Sequence, residues 1–350
     1  MKAYSSKSVL VAALLVLSVA LPVSATNETS RNIPSTGTIL YKPNEDSNLT
    51  AGINYMSAGN TWSSDSDSQL NNDFNRFTGD GVKHISARMM WSVMEPTYYS
   101  DSCRLSATAL NNYIRLLNMA GNRSIKVNVD FWTQFTYTLG KPSWIGDYYD
   151  IVTDTATRSN YVRYQQAVVT VLKDYPAVES WTVLNEPFWG STNYKTQFQT
   201  YFQLAYDAIK TIDPNHYVTC RFTLSYTPGS GKYDSSVYDI FDVFAITEYL
   251  DPSNPADTRY NGKWSYFDKT VSDCKAHNKP LWVIEFGDDN PDLEHVRIHY
   301  ELSLQKFQQA GVARAFSWAW QTRNAAAEAF NIYSGSTPDP AYFELTRFPE

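Results

Sequence analysis

Two glutamates each follow directly on a short apolar run, which makes them the first candidates for chemistry. Glu186 follows residues 181–185, and Glu285 follows residues 281–284. Because a carboxylate alone in an apolar interior is costly, each must point into a solvated mouth or be paired. Taken singly, Glu186 could be an acid at a helix start, followed by Pro187, and Glu285 a salt-bridged strand end. Taken together, they could serve as proton donor and nucleophile.

The elements that would position these glutamates alternate regularly along the chain. Eight short β-branched or aromatic runs recur, most of them separated by segments with helical spacing of apolar residues. The predicted strands are 51–56, 84–90, 125–131, 180–185, 217–223, 243–249, 281–285 and 313–318. Strands that alternate with helices predict an α/β fold, and eight such units match a (β/α)8 TIM barrel, with an open doubly wound sheet as the main alternative. We predict one barrel domain over residues 49–350.

In such a barrel, the carboxyl ends of the strands form the mouth in which catalytic side chains lie. Glu186 would end the fourth strand and Glu285 the seventh, so the two side chains would face each other across this mouth. A pair of carboxyl groups roughly 5 Å apart is the arrangement that double-displacement hydrolysis of a glycosidic bond requires. Repulsion between them would keep one neutral while the other is ionised.

At these residues the sequence resembles the retaining glycoside hydrolases of clan A, and most nearly family 5, the cellulase and mannanase family. The triplet Asn185-Glu186-Pro187 together with Glu285 carries the resemblance. Residues 52–55 are similar to the family's first strand, residues 73–88 to its first helix and a second strand that ends in Arg, and residues 313–318 to its eighth strand. The chain departs from the family at 130–132 and 247–249, where family members often carry a histidine.

The resemblance implies a role for each polar residue of the mouth. Glu186 would be the acid/base and Glu285 the nucleophile. Arg88, and Tyr249 with its hydroxyl, could hold Glu285 ionised, although each could instead be structural. Asn185 could donate to the sugar 2-hydroxyl, a contact that strengthens in the transition state.

Tryptophans near the strand ends are candidates for binding sugar rings. The resemblance makes Trp318 the expected platform at the cleaved bond, with Trp320 as its rival. Trp132 and Trp189 are predicted to line further subsites, as are Trp62, Trp91 and Trp144, although each could equally be packed in the core. Their concentration favours an enzyme that cuts within a polymer.

The N-terminal residues have the pattern of an export signal. Two lysines and an apolar run precede the small residues that end at Ala25, so we predict a signal peptide over 1–25, a polar lead-in over 26–48 and a secreted protein. The net charge of −7 offers no broad basic surface, which argues against nucleic acid and, after signal cleavage, against a membrane as partner. We expect a monomer that binds a polysaccharide or oligosaccharide.

Other chemistries lack their motifs. Cys103, Cys220 and Cys274 are widely spaced, and His295 and His299 lack the glutamate of a zinc protease, so we expect no metal and read the histidines as a solvated helix face. The sequence also predicts no cofactor. We therefore expect a secreted retaining endo-β-glycanase acting on β-1,4-glucan or β-1,4-mannan. An exo-acting β-glycosidase and a non-catalytic carbohydrate-binding barrel are the alternatives.

Overall fold

The computed structural model describes residues 49–55, 66–100, 102–131, 141–147, 149–187, 194–320, 330–334 and 337–347. The predicted signal peptide and lead-in lie outside these residues and stay predictions. Among the described residues, no helix is both long enough and apolar enough to cross a membrane.

Eight parallel strands close into a barrel in chain order, with β1 paired to both β2 and β8. Closure excludes the open doubly wound sheet, so the predicted TIM barrel is confirmed. The strands are β1 Thr50–Tyr55, β2 His84–Arg88, β3 Lys126–Asp130, β4 Val178–Asn185, β5 Tyr217–Thr223, β6 Phe244–Thr247, β7 Leu281–Phe286 and β8 Arg314–Ser317. A short hairpin of β9 Tyr333–Ser334 and β10 Thr337–Pro338 follows.

Helices surround the barrel and begin and end at recognisable signals. Ser66 and Gln69 form a capping box at the start of the first helix, and Gly311 ends the ninth in the left-handed conformation that glycine tolerates. The helices are α1 Asp67–Gly79, α2 Trp91–Met94, α3 Ala107–Gly121, α4 Asp150–Thr153, α5 Thr155–Leu172, α6 Lys195–Ile212, α7 Val237–Ile240, α8 Trp264–Ala276, α9 Leu293–Ala310 and α10 Pro340–Leu345. Single 3₁₀ turns lie at Leu224–Tyr226 and Arg259–Asn261.

The barrel interior has an apolar part and a polar part. Phe316 and Trp282 belong to a small buried cluster, and Gly52 leaves room for it, since a Cβ there would lie 2.7 Å from the Phe316 ring. Elsewhere inside, Asn128 Nδ2 donates to Ser86 Oγ, and Asn128 Oδ1 accepts from the hydroxyls of Ser180 and Thr182 in β4. Ser86 Oγ also accepts from Arg221 Nη2, so this polar part contacts a buried cation of β5.

Candidate active site

Glu285, at the end of β7, is held on both of its carboxylate oxygens. Arg221 Nη1 lies 2.5 Å from Oε2, and the Tyr249 hydroxyl donates to Oε1. Only 7% of Glu285 is exposed. A cation on one oxygen and a hydroxyl donor on the other hold the Glu285 carboxylate in one orientation, which is the preorganisation that a nucleophile requires.

Arg221 in β5 makes this ion pair, and sequence reasoning missed it. The side chain is fully buried, and its Nη2 lies 2.9 Å from Asp130 Oδ2, 3.0 Å from Asn54 Oδ1 and 3.1 Å from Ser86 Oγ. A charged residue inside an apolar run was the signal that could have found it, because a buried cation must be paired. Its partners lie on four other strands, which the order of the sequence does not reveal.

Arg88 ends β2, where the sequence analysis expected a cation for Glu285. Its guanidinium carbon lies 4.1 Å from the centroid of the Trp318 ring, a cation–π contact. Burial lowers the pKa of Arg88 to about 9, and the negative charge of Glu285 acts in the opposite direction. Arg88 therefore lies within electrostatic reach of Glu285 and also covers part of the tryptophan.

Glu186 follows β4 directly, and its surroundings differ from those of Glu285. Its backbone has a φ of 47°, its amide donates to the carbonyl of Arg221, and its Oε1 accepts from the Thr247 hydroxyl at 2.9 Å. The pKa of Glu186 is raised to about 7, chiefly by burial and also by the negative charge of Glu285, whereas the Thr247 hydrogen bond acts to lower it. Glu186 can thus hold a proton near neutral pH.

Asn185 is buried beside Glu186 at the end of β4. Its Oδ1 has no hydrogen-bond partner within the described part of the chain. A buried amide oxygen without a partner is costly, so a ligand or a water must complete its bonding. Its position is compatible with contact to a substrate.

The aromatic residues divide into a mouth group and a core group. Trp318 is 8% exposed and clusters with Tyr249 and Phe330. Trp320 is buried against Phe77 of α1, with ring centroids 4.7 Å apart, so it faces the helices. Trp318 is the one of these two that borders the candidate site.

Of the other tryptophans that were predicted to line subsites, the structure describes Trp91 and Trp144. Trp91 is fully buried and packs against Trp144, with ring centroids 5.1 Å apart, so Trp91 belongs to the core. Trp62, Trp132 and Trp189 lie outside the described residues.

The expectation of a solvated histidine face on α9 is wrong for His299. This side chain is 2% exposed, and its Nδ1 lies 3.7 Å from Asp288 Oδ2, whereas His295 Nε2 approaches the same oxygen at 3.1 Å from a more exposed position. His299 lies about one helical turn after His295 and is on the buried side of α9. Burial lowers the pKa of His299 to about 4, so it is neutral at pH 7.

Within the described ranges, no group of three or more His, Cys, Asp or Glu side chains could hold a metal ion. Cys103, Cys220 and Cys274 are free thiols.

The geometry agrees with a family assignment from the whole sequence. The family described as "Cellulase (glycosyl hydrolase family 5)" matches residues 43–324. The chain belongs to glycosyl hydrolase family 5. The match includes all eight barrel strands and both glutamates, and it confirms the resemblance drawn from the strand ends.

Two fungal mannosidases are among the proteins to which the chain is similar. Mannan endo-1,4-beta-mannosidase A of Podospora anserina is 24% identical over 251 residues, covering 65% of this chain and 64% of that protein. Mannan endo-1,4-beta-mannosidase F of Aspergillus fumigatus is 25% identical over 286 residues, covering 75% of this chain and 63% of that protein. The chain thus spans slightly less than two thirds of the length of either relative.

Solved structures share the fold. The GH5_18 protein of Streptomyces cattleya, determined in complex with GlcNAc, aligns with a TM-score of 0.71 at 16% identity, covering 86% of this chain and 79% of that chain. At this identity the comparison supports the barrel architecture alone.

Proposed function

We propose that this protein is a retaining endo-β-glycanase that hydrolyses β-1,4-mannan by double displacement. Two relatives that bear the name mannan endo-1,4-beta-mannosidase support mannan over glucan. The family is also described as cellulase, so β-1,4-glucan is the second substrate to be tested. Family membership and the two strand-end glutamates support hydrolysis of a glycoside.

One observation carries the proposal: the two carboxyl groups have opposite environments. Glu285 is paired with Arg221 and accepts from Tyr249, whereas burial raises the pKa of Glu186 to about 7. Cleavage of a glycosidic bond needs a neutral acid at the leaving oxygen and an anion beneath the anomeric carbon. A barrel that only bound glycans would have no need of this division.

The proposed reaction has two steps. In the first, Glu285 attacks the anomeric carbon while Glu186 transfers its proton to the departing sugar oxygen, which leaves a glycosyl ester on Glu285. In the second, Glu186 removes a proton from water, and this water attacks the anomeric carbon from the opposite face. The bond to Glu285 breaks, and the product keeps the β configuration.

Three neighbours would bind the sugar at the cleaved bond. Asn185, whose buried Oδ1 has no partner among the described residues, would contact the 2-hydroxyl. Trp318 would provide an apolar ring beneath the sugar, held by the guanidinium of Arg88 on its face. Trp132 and Trp189 are proposed to line more distant subsites. The enzyme is further proposed to be secreted after removal of residues 1–25 and to act as a monomer.

Hydrolysis of mannan, cellulose derivatives, xylan and β-1,3-glucan tests the substrate. We expect oligosaccharides of mixed length from mannan. Release of single sugars alone would support the exo-acting alternative, and no cleavage by folded protein would support the non-catalytic barrel. NMR of the first product should detect the β anomer. Immediate appearance of the α anomer would contradict the role given to Glu285.

A further inference from the structure

Strand β4 contains one extra residue just before Glu186. Thr182 of β4 pairs with Thr219 of β5. The next pair is Asn185 with Arg221, so three steps along β4 match two steps along β5. Such a bulge leaves a residue without a strand partner and changes the direction of the side chains that follow it. The bulge therefore helps to decide where the carboxyl group of Glu186 points.

The bulge leaves Val183 without a partner in either neighbouring strand. The last pair of β4 with β3 is Asp130 with Thr182, and Val183 is paired with no residue of β5 in the described part of the chain. Val183 is fully buried, so water does not reach its carbonyl. A buried backbone carbonyl needs a hydrogen-bond donor, and here the donors must come from outside the sheet.

Two helices supply the donors. Gln165 Nε2 of α5 donates to the Val183 carbonyl at 2.7 Å, and the Tyr201 hydroxyl of α6 donates to the same oxygen at 2.9 Å. Gln165 Nε2 also donates to the Tyr201 hydroxyl at 3.0 Å, which closes a triangle of hydrogen bonds. Both side chains are fully buried. The bulge in β4 is thus held from behind by α5 and α6.

Packing alone does not account for a glutamine at position 165. Val168 and Leu172, on the same face of α5, are buried and apolar, and an amide among them is unfavourable unless it is paired. Tyr161 is another donor nearby, but its hydroxyl lies 3.5 Å from the Val183 carbonyl and 2.9 Å from the carbonyl of the residue after β3. Gln165 and Tyr201 are therefore the two close donors to Val183.

The segment between Val183 and Glu186 is fastened at both of its ends. The carbonyl of Val183 is bonded to the two helices, and the amide of Glu186 donates to the carbonyl of Arg221 at 2.7 Å. Glu186 has a φ of 47°, a conformation that a non-glycine residue keeps only where its surroundings hold it. Loss of the contacts at Val183 would free one end of this segment.

We propose that Gln165 and Tyr201 are positioning residues for Glu186, which they orient by holding the bulge in β4. The proposal deepens the proposed function and rests on it. Neither side chain would touch the substrate, because both are buried between β4 and the surrounding helices. Their loss would misplace the carboxyl group that transfers the proton and would leave attack by Glu285, which lies on β7, in place.

The test compares two substrates that differ in their need for a proton, both built from the glycan that the wild type cleaves. One is a β-1,4-linked tetrasaccharide, and the other is the 2,4-dinitrophenyl glycoside of the disaccharide. Gln165→Met keeps the length of the side chain and removes the donor. We expect its kcat/KM on the tetrasaccharide to fall about tenfold, as part of the contribution of proton transfer is lost. On the dinitrophenyl glycoside, kcat/KM should stay within about twofold.

Tyr201→Phe removes only the hydroxyl and leaves the Gln165 donor in place. We expect the same dependence on the leaving group, with a smaller fall on the tetrasaccharide. This second variant keeps the test available if Gln165→Met does not fold.

The second step of the reaction gives an independent readout. Glu186 also activates the water, so breakdown of the glycosyl ester should slow in both variants. On the dinitrophenyl glycoside, kcat and KM should then fall together, and a burst of dinitrophenolate should count the folded sites. A mere loss of folded enzyme would lower kcat and leave KM unchanged.

Tyr206→Phe is the matched control, because it makes the same change on the same helix. The Tyr206 hydroxyl donates to Asp242 Oδ1 at 2.9 Å, before the start of β6, and its loss should change neither substrate. If Gln165→Met and Tyr201→Phe leave both substrates unchanged, or lower kcat/KM equally on both, the positioning role is wrong although the proposed function stands. If the wild type cleaves neither substrate, the proposed function fails and the positioning role with it.

Discussion

Arg221 provides the positive charge that two buried carboxylates share. Asp130 and Glu285 each lie within ion-pair distance of its guanidinium, and the arginine is fully buried. Buried ion pairs contribute little net stability, but removal of one member is severe because its partner is left as an uncompensated charge. The arginine thus links the stability of the barrel to the placement of Glu285.

Replacement of Arg221 by Met should reduce both stability and activity. We expect a loss of about 3–5 kcal/mol in the free energy of unfolding, measured with urea, and a large fall in kcat/KM of the protein that remains folded. Arg115→Met is the matched control, because Arg115 pairs with Asp67 at 3.1 Å on the surface and should cost about 1 kcal/mol or less. Equal losses in the two variants would contradict the role of Arg221.

The two glutamates should differ when each is replaced by alanine. Glu285→Ala removes the proposed nucleophile, so activity should vanish on natural glycan and on activated aryl glycoside alike. Glu186→Ala removes proton transfer, a contribution of about 10²–10⁴-fold, which a nitrophenolate leaving group scarcely needs. We expect a burst of nitrophenolate followed by a slow steady rate that azide restores. A burst from the Glu285 variant instead would show that the two roles are assigned the wrong way round.

At the scale of elements, β6 contacts both glutamates from one short strand and the residues after it. Thr247 donates to Glu186, and Tyr249 donates to Glu285. Within this segment, family members often carry a histidine that this chain lacks. Here the neutral hydroxyl of Thr247 donates to Glu186 instead. A hydroxyl adds no charge that titrates near neutral pH.

Thr247→Val should move the alkaline limb of the pH profile. Glu186 must be protonated to act as the acid, so kcat/KM should fall as the pH rises through its pKa of about 7. The Thr247 hydrogen bond stabilises the charged carboxylate, and its loss should raise this pKa and shift the limb to higher pH. Thr247→Ser keeps the hydroxyl and should leave the limb in place. If the alkaline limb of the valine variant lies at the same pH as that of the wild type, the Thr247 hydrogen bond does not set the pKa of Glu186.

The strands could be predicted from the sequence because parallel strands buried on both faces are continuous apolar runs. Their ends could not, since pairing with neighbours decides where a strand stops: the run 243–249 contains β6, which spans only Phe244–Thr247. Glu186 and Glu285 could be identified from the sequence, because each is an acidic residue that closes an apolar run. The ion pairs of Arg221 with Asp130 and Glu285 could not be predicted, because only closure of the barrel brings β3, β5 and β7 around one guanidinium.

At the scale of the whole molecule, the barrel buries a further carboxyl group that the proposed mechanism does not use. Glu248 is buried after β6, its Oε1 accepts from the amide of Leu250, and its Oε2 has no hydrogen-bond partner in the described ranges. Burial raises its pKa from 4.5 to about 8. The folded protein therefore binds a proton here that the unfolded chain releases above pH 4.5.

Glu248→Gln should stabilise the protein at alkaline pH. A raised pKa in the folded state gives stability that is present at low pH and is lost as the pH rises through about 8. The amide keeps an acceptor for Leu250 and does not ionise. We expect thermal unfolding to be nearly equal for the two proteins at pH 4, and the variant to gain up to about 4 kcal/mol at pH 8. If the difference in unfolding free energy between the two proteins is the same at pH 4 and at pH 8, burial does not raise the pKa of Glu248.

The contacts of Arg221 also bear on how the molecule could be divided. The arginine belongs to the second half of the chain, as does Glu285, whereas its other partners, Asn54, Ser86 and Asp130, all belong to the first four strands. A fragment that ended after β4 would carry Asp130 without its cation, and the complementary fragment would carry Arg221 with only one of these four partners, Glu285. The contacts that hold Arg221 against Glu285 thus need residues of both halves of the barrel, so we expect neither half to form the candidate site alone.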